Sequence, residues 1–387
     1  MSIAGIIAEF NPLHNGHEYI INQAKNDGNT VACVISGNFV QRGDVAIIPK
    51  FIRAKSALLC GADIILELPV PWSMSTAQNF AFGAVSQLSA INIDCLYFGS
   101  ECGDSIKLST VADALLSNEF SQIIGAELKT GKTFAKIRTE AVRKMIGNDA
   151  NILESPNDAL AVEYICAAKR LGLNLEFHAV KRIGAGHNDT VHKDIYSTAT
   201  LIRKAILNKE YNYVQNFIPK QSAKLLFSSP IADIERIDKA IITVIKMLSL
   251  QDLRETPDIS EGLDSLIYKK TRVATCFSEL CELVKSKRYT LARIRRILLS
   301  AFLKINKEFF LTEPPYVRVL GFSEDGIKLV KDCDSKPIIT KVSEIQNLNE
   351  PAKKLFELEN RVNEIYALSL DRPEAFVDER SEKLIIV

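Results

Sequence analysis

Histidine is scarce in this chain, five among 387 residues, and there is one tryptophan. Chemistry built on histidine clusters therefore has few places to sit. Charge of one sign is also missing: 48 basic residues meet 47 acidic ones, for a net charge of +1. That balance says little about a polyanionic partner, because the local distribution is what binds phosphates. No apolar run approaches the ~20 residues needed to cross a bilayer, and Met1-Ser2 leads directly into a strand pattern instead of a signal peptide. No membrane association and a cytoplasmic location are expected. The cysteines, Cys33, Cys60, Cys95, Cys102, Cys166, Cys276, Cys281 and Cys333, form no CxxC pair and lie mostly in apolar segments. Reduced, buried thiols fit that better than disulfides or zinc. Cys102 alone falls in a loop beside a candidate site, where it is either a participant or a bystander.

Phosphate-binding signatures are missing as well. The nearest approach to a Walker loop, Gly125 to Gly131-Lys132-Thr133, has five residues between its glycines where four are required, and it follows a helical pattern. Gly-x-Gly-x-x-Gly does not follow the first strand, which disfavours a dinucleotide site.

In its place stands His14-Asn15-Gly16-His17, after the apolar run Ile3-Ala4-Gly5-Ile6-Ile7-Ala8 and an Asn11-Pro12 turn. The run reads as a buried parallel strand, and the residues after His17 recur at helical spacing. At a strand-loop-helix junction the first helical N–H groups lack partners and the helix dipole adds about half a positive charge, so an anion is attracted. His14 and His17, three apart, fall on one face of the first turn, with Gly16 admitting a phosphate close to the backbone. The pair could equally be zinc ligands or two surface histidines, but no HExxH glutamate or CxxC completes a metal site. No metal ligand set is predicted.

Strand and helix patterns then alternate: strands over 30–37, 62–68 and 95–99, and helices over 49–61 and 73–90. This argues for an α/β fold with a Rossmann-like parallel sheet, whose ligands collect at the carboxyl ends of the strands near the topological reversal. The polar loops 11–17, 36–43 and 99–104 all lie at such ends and make one composite site. Several helices fill 106–172, with Ser155 predicted to cap a helix over 158–171. A strand over 175–180 leads into a glycine-rich loop, and Ser197-Thr198 opens a helix that carries Arg203 in its second turn. Hydroxyls and N–H groups there, with Arg203, could make a second phosphate grip at Ser197 and Thr198, or simply a helix cap.

The division expected is 1–208 for the α/β unit and 209–387 for a mainly helical region, in which a small C-terminal subdomain could begin at about residue 316. Between Lys269 and Lys307 the basic residues outnumber the acidic ones. Lys285, Lys287, Arg288, Arg293, Arg295 and Arg296 are candidates for an RNA backbone, and over 289–302 an apolar side (Leu291, Ile294, Leu298, Phe302) can dock on a core. A solvated helix face is the alternative. Arg42 and Lys50 are candidates to hold an acid substrate or a leaving group, or else surface cations.

The histidine loop after the first strand, with the Ser/Thr-rich Ile202-Arg203 segment, resembles the nucleotidylyltransferase superfamily that includes class I aminoacyl-tRNA synthetases. More narrowly, Ala8-Glu9-Phe10-Asn11-Pro12-Leu13-His14-Asn15-Gly16-His17, Ser36-Gly37-Asn38-Phe39-Val40-Gln41-Arg42-Gly43, Phe98-Gly99-Ser100-Glu101 and Ser155-Pro156-Asn157 resemble the bacterial tRNA(Met) cytidine acetate ligase family. The motifs cover roughly the first 205 residues. The resemblance implies an enzyme that joins acetate and ATP to acetyl-adenylate and passes acetyl to N4 of the wobble cytidine of elongator tRNA(Met), giving N4-acetylcytidine. ATP is then a co-substrate, Mg²⁺ its expected companion, and tRNA(Met) and acetate the partners; no protein partner is implied. By motif position the ATP loop runs through Ile7, Ala8, Glu9, Phe10, Asn11, Pro12, Leu13, His14, Asn15, Gly16, His17, Glu18, Tyr19 and Ile20, with Gly99, Asn157, Arg182 and Ile183 completing the contacts. His14, His17 and Arg203 are the catalytic candidates. His187 and Asn188 stand where the family pattern has Tyr and His. A small-molecule adenylyltransferase and a non-catalytic RNA-binding protein are the competing readings.

Overall fold

The computed structural model describes residues 2–127, 134–182, 197–260, 262–331, 335–375 and 379–387. Ten strands are assigned among them: β1 (Ile3–Ala8), β2 (Thr30–Ser36), β3 (Phe39–Val40), β4 (Asp44–Val45), β5 (Ile64–Leu68), β6 (Cys95–Ser100), β7 (Glu176–Lys181), β8 (Val317–Phe322), β9 (Ile338–Ile339) and β10 (Ile385–Ile386). The main sheet runs β10-β8-β5-β2-β1-β6-β7. Every pair from β5 to β7 is parallel, with Ala4 beside both Val31 and Cys95. The chain builds β2 and β5 on one side of β1 and then crosses to β6 on the other, so the topological reversal falls at β1. Apolar side chains on both faces of β1, β2 and β5 leave them buried throughout their centres, as parallel strands covered by helices must be.

Two cores flank the sheet. One lies under the helix Asn15–Asn26 and holds Phe10, Leu13, Ile21 and Ile35. The other lies under the helices Ala77–Ser89 and Pro156–Arg170 and continues through the C-terminal helical region. Two expected helices differ in detail. The pattern over 73–90 divides into Val70–Ser73 and Ala77–Ser89, because Thr76 Oγ1 accepts from Asn79 N at 3.3 Å and starts a new helix. Ser155 precedes Pro156–Arg170 but its side chain makes no cap bond; Glu101 Oε2 accepts from Asp158 N at 2.9 Å in its place.

A small subdomain beginning near residue 316 is not what the pairings describe. β8 lies antiparallel on β5, Ile64 beside Phe322, and β9 and β10 both pair with β8. These strands extend the N-terminal sheet because β5 would otherwise present an open edge of unpaired backbone groups. Among the described residues no helix is long and apolar enough to cross a membrane. The seven described cysteines are free thiols, and Cys333 lies outside the described residues.

Candidate active site

A cleft of about 260 Å³ opens at the carboxyl ends of β1, β6 and β7, the location that the switch in strand order predicts. Two imidazoles stand at its centre. The rings of His14 and His17 stack with centroids 3.7 Å apart and planes 21° apart. A Cβ on Gly16 would sit 3.1 Å from His14 Cε1, so glycine here leaves room for the stacked ring as well as for a ligand. Phe10 meets His17 edge-on at 5.0 Å, and it does so from the left-handed backbone region, at φ 45°. A fully buried aromatic held there is uncommon and is retained by the packing around it.

Burial pushes the His14 imidazole down to about 3, and the nearby Arg182 and Arg203 guanidinium groups push the same way. Burial likewise holds His17 well below the usual imidazole range, with His14 and Arg182 adding to it. Both rings are therefore neutral near pH 7. His17 Nδ1 accepts from His14 N at 3.3 Å, so the ring proton of neutral His17 resides on Nε2, where it is a donor for a ligand.

Cations ring the dyad. Arg42, Lys181, Arg182 and Arg203 line the cleft, with Glu9 as the acid among them. Arg203 Nη1 donates to the carbonyl of Asn11 at 2.8 Å, which ties the helix Ala199–Leu207 to the histidine loop. Ser197 also lines the cleft, and its buried hydroxyl has no protein partner among the described residues, as fits an oxygen-rich ligand. Thr198 does not line it: its Oγ1 accepts from Leu201 N at 3.4 Å and caps the helix.

Of the predicted ATP loop, Ile7, Ala8, Glu9, Phe10, Asn11, His14, Gly16, His17, Tyr19 and Ile20 border the cleft, as do Gly99, Asn157 and Arg182. Pro12, Leu13, Asn15 and Glu18 do not. Leu13 is 1% exposed in the core, and Asn15 N donates to Phe217 O at 2.9 Å. Ile183, His187 and Asn188 lie outside the described residues. Cys102 sits at the loop joining β6 to the next helix, with Sγ 3.4 Å from Ser100 Oγ, and does not border the cleft.

Lys50 belongs elsewhere. It is 1% exposed and bonded to Glu67 at 2.7 Å and Glu379 at 2.7 Å, so it is neither a surface cation nor in reach of the cleft. The basic helix Leu291–Leu303 also differs from expectation. Arg293 and Arg296 pair with Asp258 at 3.2 and 3.4 Å, and Arg295 pairs with Asp44 at 2.8 Å, all three half-buried. Lys285, Lys287 and Arg288 are exposed.

Arg53 had no signal in the sequence. Fully buried, it donates to the carbonyls of Ile48 at 3.1 Å, Glu9 at 2.7 Å, Ser36 at 2.9 Å and Gly37, and so ties the carboxyl end of β1, beside the cleft, to that of β2. Burial lowers its guanidinium to about 10, which leaves it charged at neutral pH. Phe80, Leu160 and Tyr164, which also line the cleft, were not singled out in the sequence, whereas Phe98 opens one of its motifs.

Comparison with known proteins agrees with this geometry. Residues 1–380 match the family described as HIGH nucleotidyl transferase. The chain is 39% identical over 384 residues to a tRNA(Met) cytidine acetate ligase of Caldanaerobacter subterraneus subsp. tengcongensis, covering 95% of this chain and 96% of that one. It is 34% identical to the tRNA(Met) cytidine acetate ligase of Clostridium perfringens (strain ATCC 13124), covering 95% of each. Its fold superposes on Thermotoga maritima TmcAL without ligand at a TM-score of 0.94, and on TmcAL bound with alpha-thio ATP at 0.90, with 30% identity and full coverage of both chains. A stacked histidine pair at the β1 switch point, in a chain this similar along its whole length to such relatives, places the protein in the tRNA(Met) cytidine acetate ligase family of the HIGH nucleotidyl transferases.

Proposed function

We propose that this protein is a tRNA(Met) cytidine acetate ligase: it joins acetate and ATP to acetyl-adenylate, then transfers acetyl to N4 of the wobble cytidine of elongator tRNA(Met). The observation that carries the reading is the neutral, stacked His14–His17 pair at the start of the Asn15–Asn26 helix, in a chain 39% identical to a ligase of that name.

Formation of the adenylate demands little covalent chemistry from protein. A carboxylate oxygen of acetate attacks the α-phosphorus, the bond to the bridging oxygen of pyrophosphate breaks, and the electron pair leaves with pyrophosphate. What the chain must supply is position and stabilisation of charge on the leaving oxygens. Nε2–H of His17 and the Arg203 guanidinium are the donors for those oxygens, and the unpartnered Ser197 hydroxyl supports a phosphate contact beside them. Gly99, Asn157 and Arg182 line the same cleft and are the further ATP contacts. Among the described residues no three or more His, Cys, Asp or Glu side chains cluster as a metal cage. Mg²⁺ is expected to arrive on the phosphates of ATP, and no step is routed through it.

Residues 209–315 are the proposed tRNA-docking region, with exposed Lys285, Lys287 and Arg288 as phosphate contacts. Arg293, Arg295 and Arg296 hold the helix to the protein instead. A cytoplasmic location goes with a tRNA substrate.

The test is incubation with ATP, labelled acetate and bulk bacterial tRNA, then nucleoside analysis. Label in N4-acetylcytidine, lost by about 10²- to 10³-fold in His17→Ala with tRNA binding retained, is the expected outcome. Pyrophosphate released only with a different, phosphorylated small substrate would overturn the ligase reading in favour of a small-molecule adenylyltransferase.

A further inference from the structure

The cleft reaches both faces of the sheet, and its two halves differ in chemistry. Phe10, beside the histidine pair, belongs to the core under the Asn15–Asn26 helix, with Ile20 packed against it. Ile7, Phe80, Phe98 and Tyr164 line the same cleft but belong to the opposite core, under the Ala77–Ser89 and Pro156–Arg170 helices, with Leu160 packed against it. This second half is an aromatic and aliphatic recess: Phe80 is 2% exposed, Phe98 4% and Tyr164 4%. Its polar group is the hydroxyl of Tyr164, whose ring packs against Phe98 with centroids 6.2 Å apart. That hydroxyl is not among the sealed side-chain atoms without a partner, so it opens on the cleft, where a ligand atom can reach it.

We propose that the recess seats the carboxylic-acid substrate, its short alkyl chain against Phe80 and Leu160 and one carboxylate oxygen accepting from Tyr164 Oη. The proposal rests on the acyl-adenylate reading above and names the residues that choose the acid. The proposed phosphate donors lie on the histidine side of the cleft, whereas the recess is apolar, as one methyl group requires. The other carboxylate oxygen attacks the α-phosphorus, pyrophosphate departs, and the acid stays seated as acetyl-adenylate.

Leu160→Ala, Phe80→Leu and Tyr164→Phe test this in the full-length protein, with pyrophosphate release measured over acetate, propionate and butyrate. Binding of a non-hydrolysable ATP analogue, α,β-methylene ATP, is measured alongside. A pocket that discriminates one methylene does so by about 10- to 200-fold. The expected result is that Leu160→Ala and Phe80→Leu raise the propionate-to-acetate ratio of kcat/KM by about tenfold or more, with analogue binding held within about threefold. Tyr164→Phe should raise KM for acetate by about tenfold and leave KM for ATP in place. An unchanged acid ratio overturns the recess as the acid site, and so does loss of analogue binding with the ratio intact, which would put the base there. If wild type releases no pyrophosphate with any acid, the acyl-adenylate reading itself fails, an outcome distinct from a selective wild type with unselective variants. Leu160→Val, a smaller change at a half-buried site, repeats the test should Leu160→Ala not fold.

Discussion

His14 couples the chemistry of the cleft to the stability of the fold. In the unfolded chain an imidazole titrates near 6.5, whereas in the folded protein burial and two arginines push His14 down to about 3. Between those values the unfolded chain binds the extra proton and the folded chain does not. Stability therefore rises with pH across that window and falls as acid is added through it. Chemical denaturation at a series of pH values from 4 to 7 should show a steeper loss toward acid in wild type than in His14→Asn, which has nothing to titrate. Equal slopes would mean that the ring protonates in place, with the stack opening to let water in. The pairing of His14 with His17 was legible because it is local, two residues three apart after one strand. Arg53 and Tyr164 were not legible. A buried arginine bonded to four carbonyls and a core tyrosine whose hydroxyl opens on the cleft acquire their roles only when distant segments close around them.

The hairpin β3-β4 and the helix Leu291–Leu303 show the same limit one level up. Helical periodicity placed arginines at 293, 295 and 296 and left them facing solvent or RNA, since no pattern in a single helix tells which neighbour 250 residues away will receive it. In the fold, Arg295 Nε donates to Gly43 O at 2.7 Å and Gln41 N donates to Glu9 Oε1 at 2.8 Å. The hairpin is thus clamped between the basic helix and the cleft, and Arg42 lies on the cleft wall between the two anchor points. Gly43 takes φ 71°, and a Cβ there would stand 2.6 Å from Arg296 N, so both conformation and space require glycine. Gly43→Ala is expected to cost about 1–3 kcal/mol in denaturant melts and to lower acetate-dependent pyrophosphate release through misplacement of Arg42. Arg295→Ala, which removes the clamp without backbone strain, should lower the same rate with a smaller loss of stability. Wild-type rates in both variants would show that the hairpin needs no clamp.

Across the whole molecule, the N-terminal sheet and the C-terminal residues are one folding unit, because the chain closes its buried charges only at its end. Lys50 from the helix after β4 bonds Glu67 on β5 and Glu379 near the C-terminus, and Arg318 on β8 reaches Glu379 at 3.4 Å. Burial opposes the charge of Lys50, but Glu379 and Glu67 hold it above the usual lysine value. Burial and Glu67 push Glu359 up to about 8, so it is largely uncharged at neutral pH, and burial raises Glu67 as well. A sequence cannot announce such a cluster: its members are drawn from five segments, and each alone reads as a surface charge. That is why a C-terminal unit from about residue 316 was expected while the return of β8 to β5 was not, and why Lys50 read as a candidate for the acid or the leaving group. Lys50→Met separates the two roles. Removing one partner of a buried pair typically costs about 3–5 kcal/mol, since the opposite charges stay behind without compensation. The variant is expected to lose that much in urea titrations, and Lys50→Met with Glu67→Gln to recover part of it by restoring the balance. A Lys50→Met protein of wild-type stability that had lost only acetate-dependent pyrophosphate release would return Lys50 to the reaction and refute its place in the core.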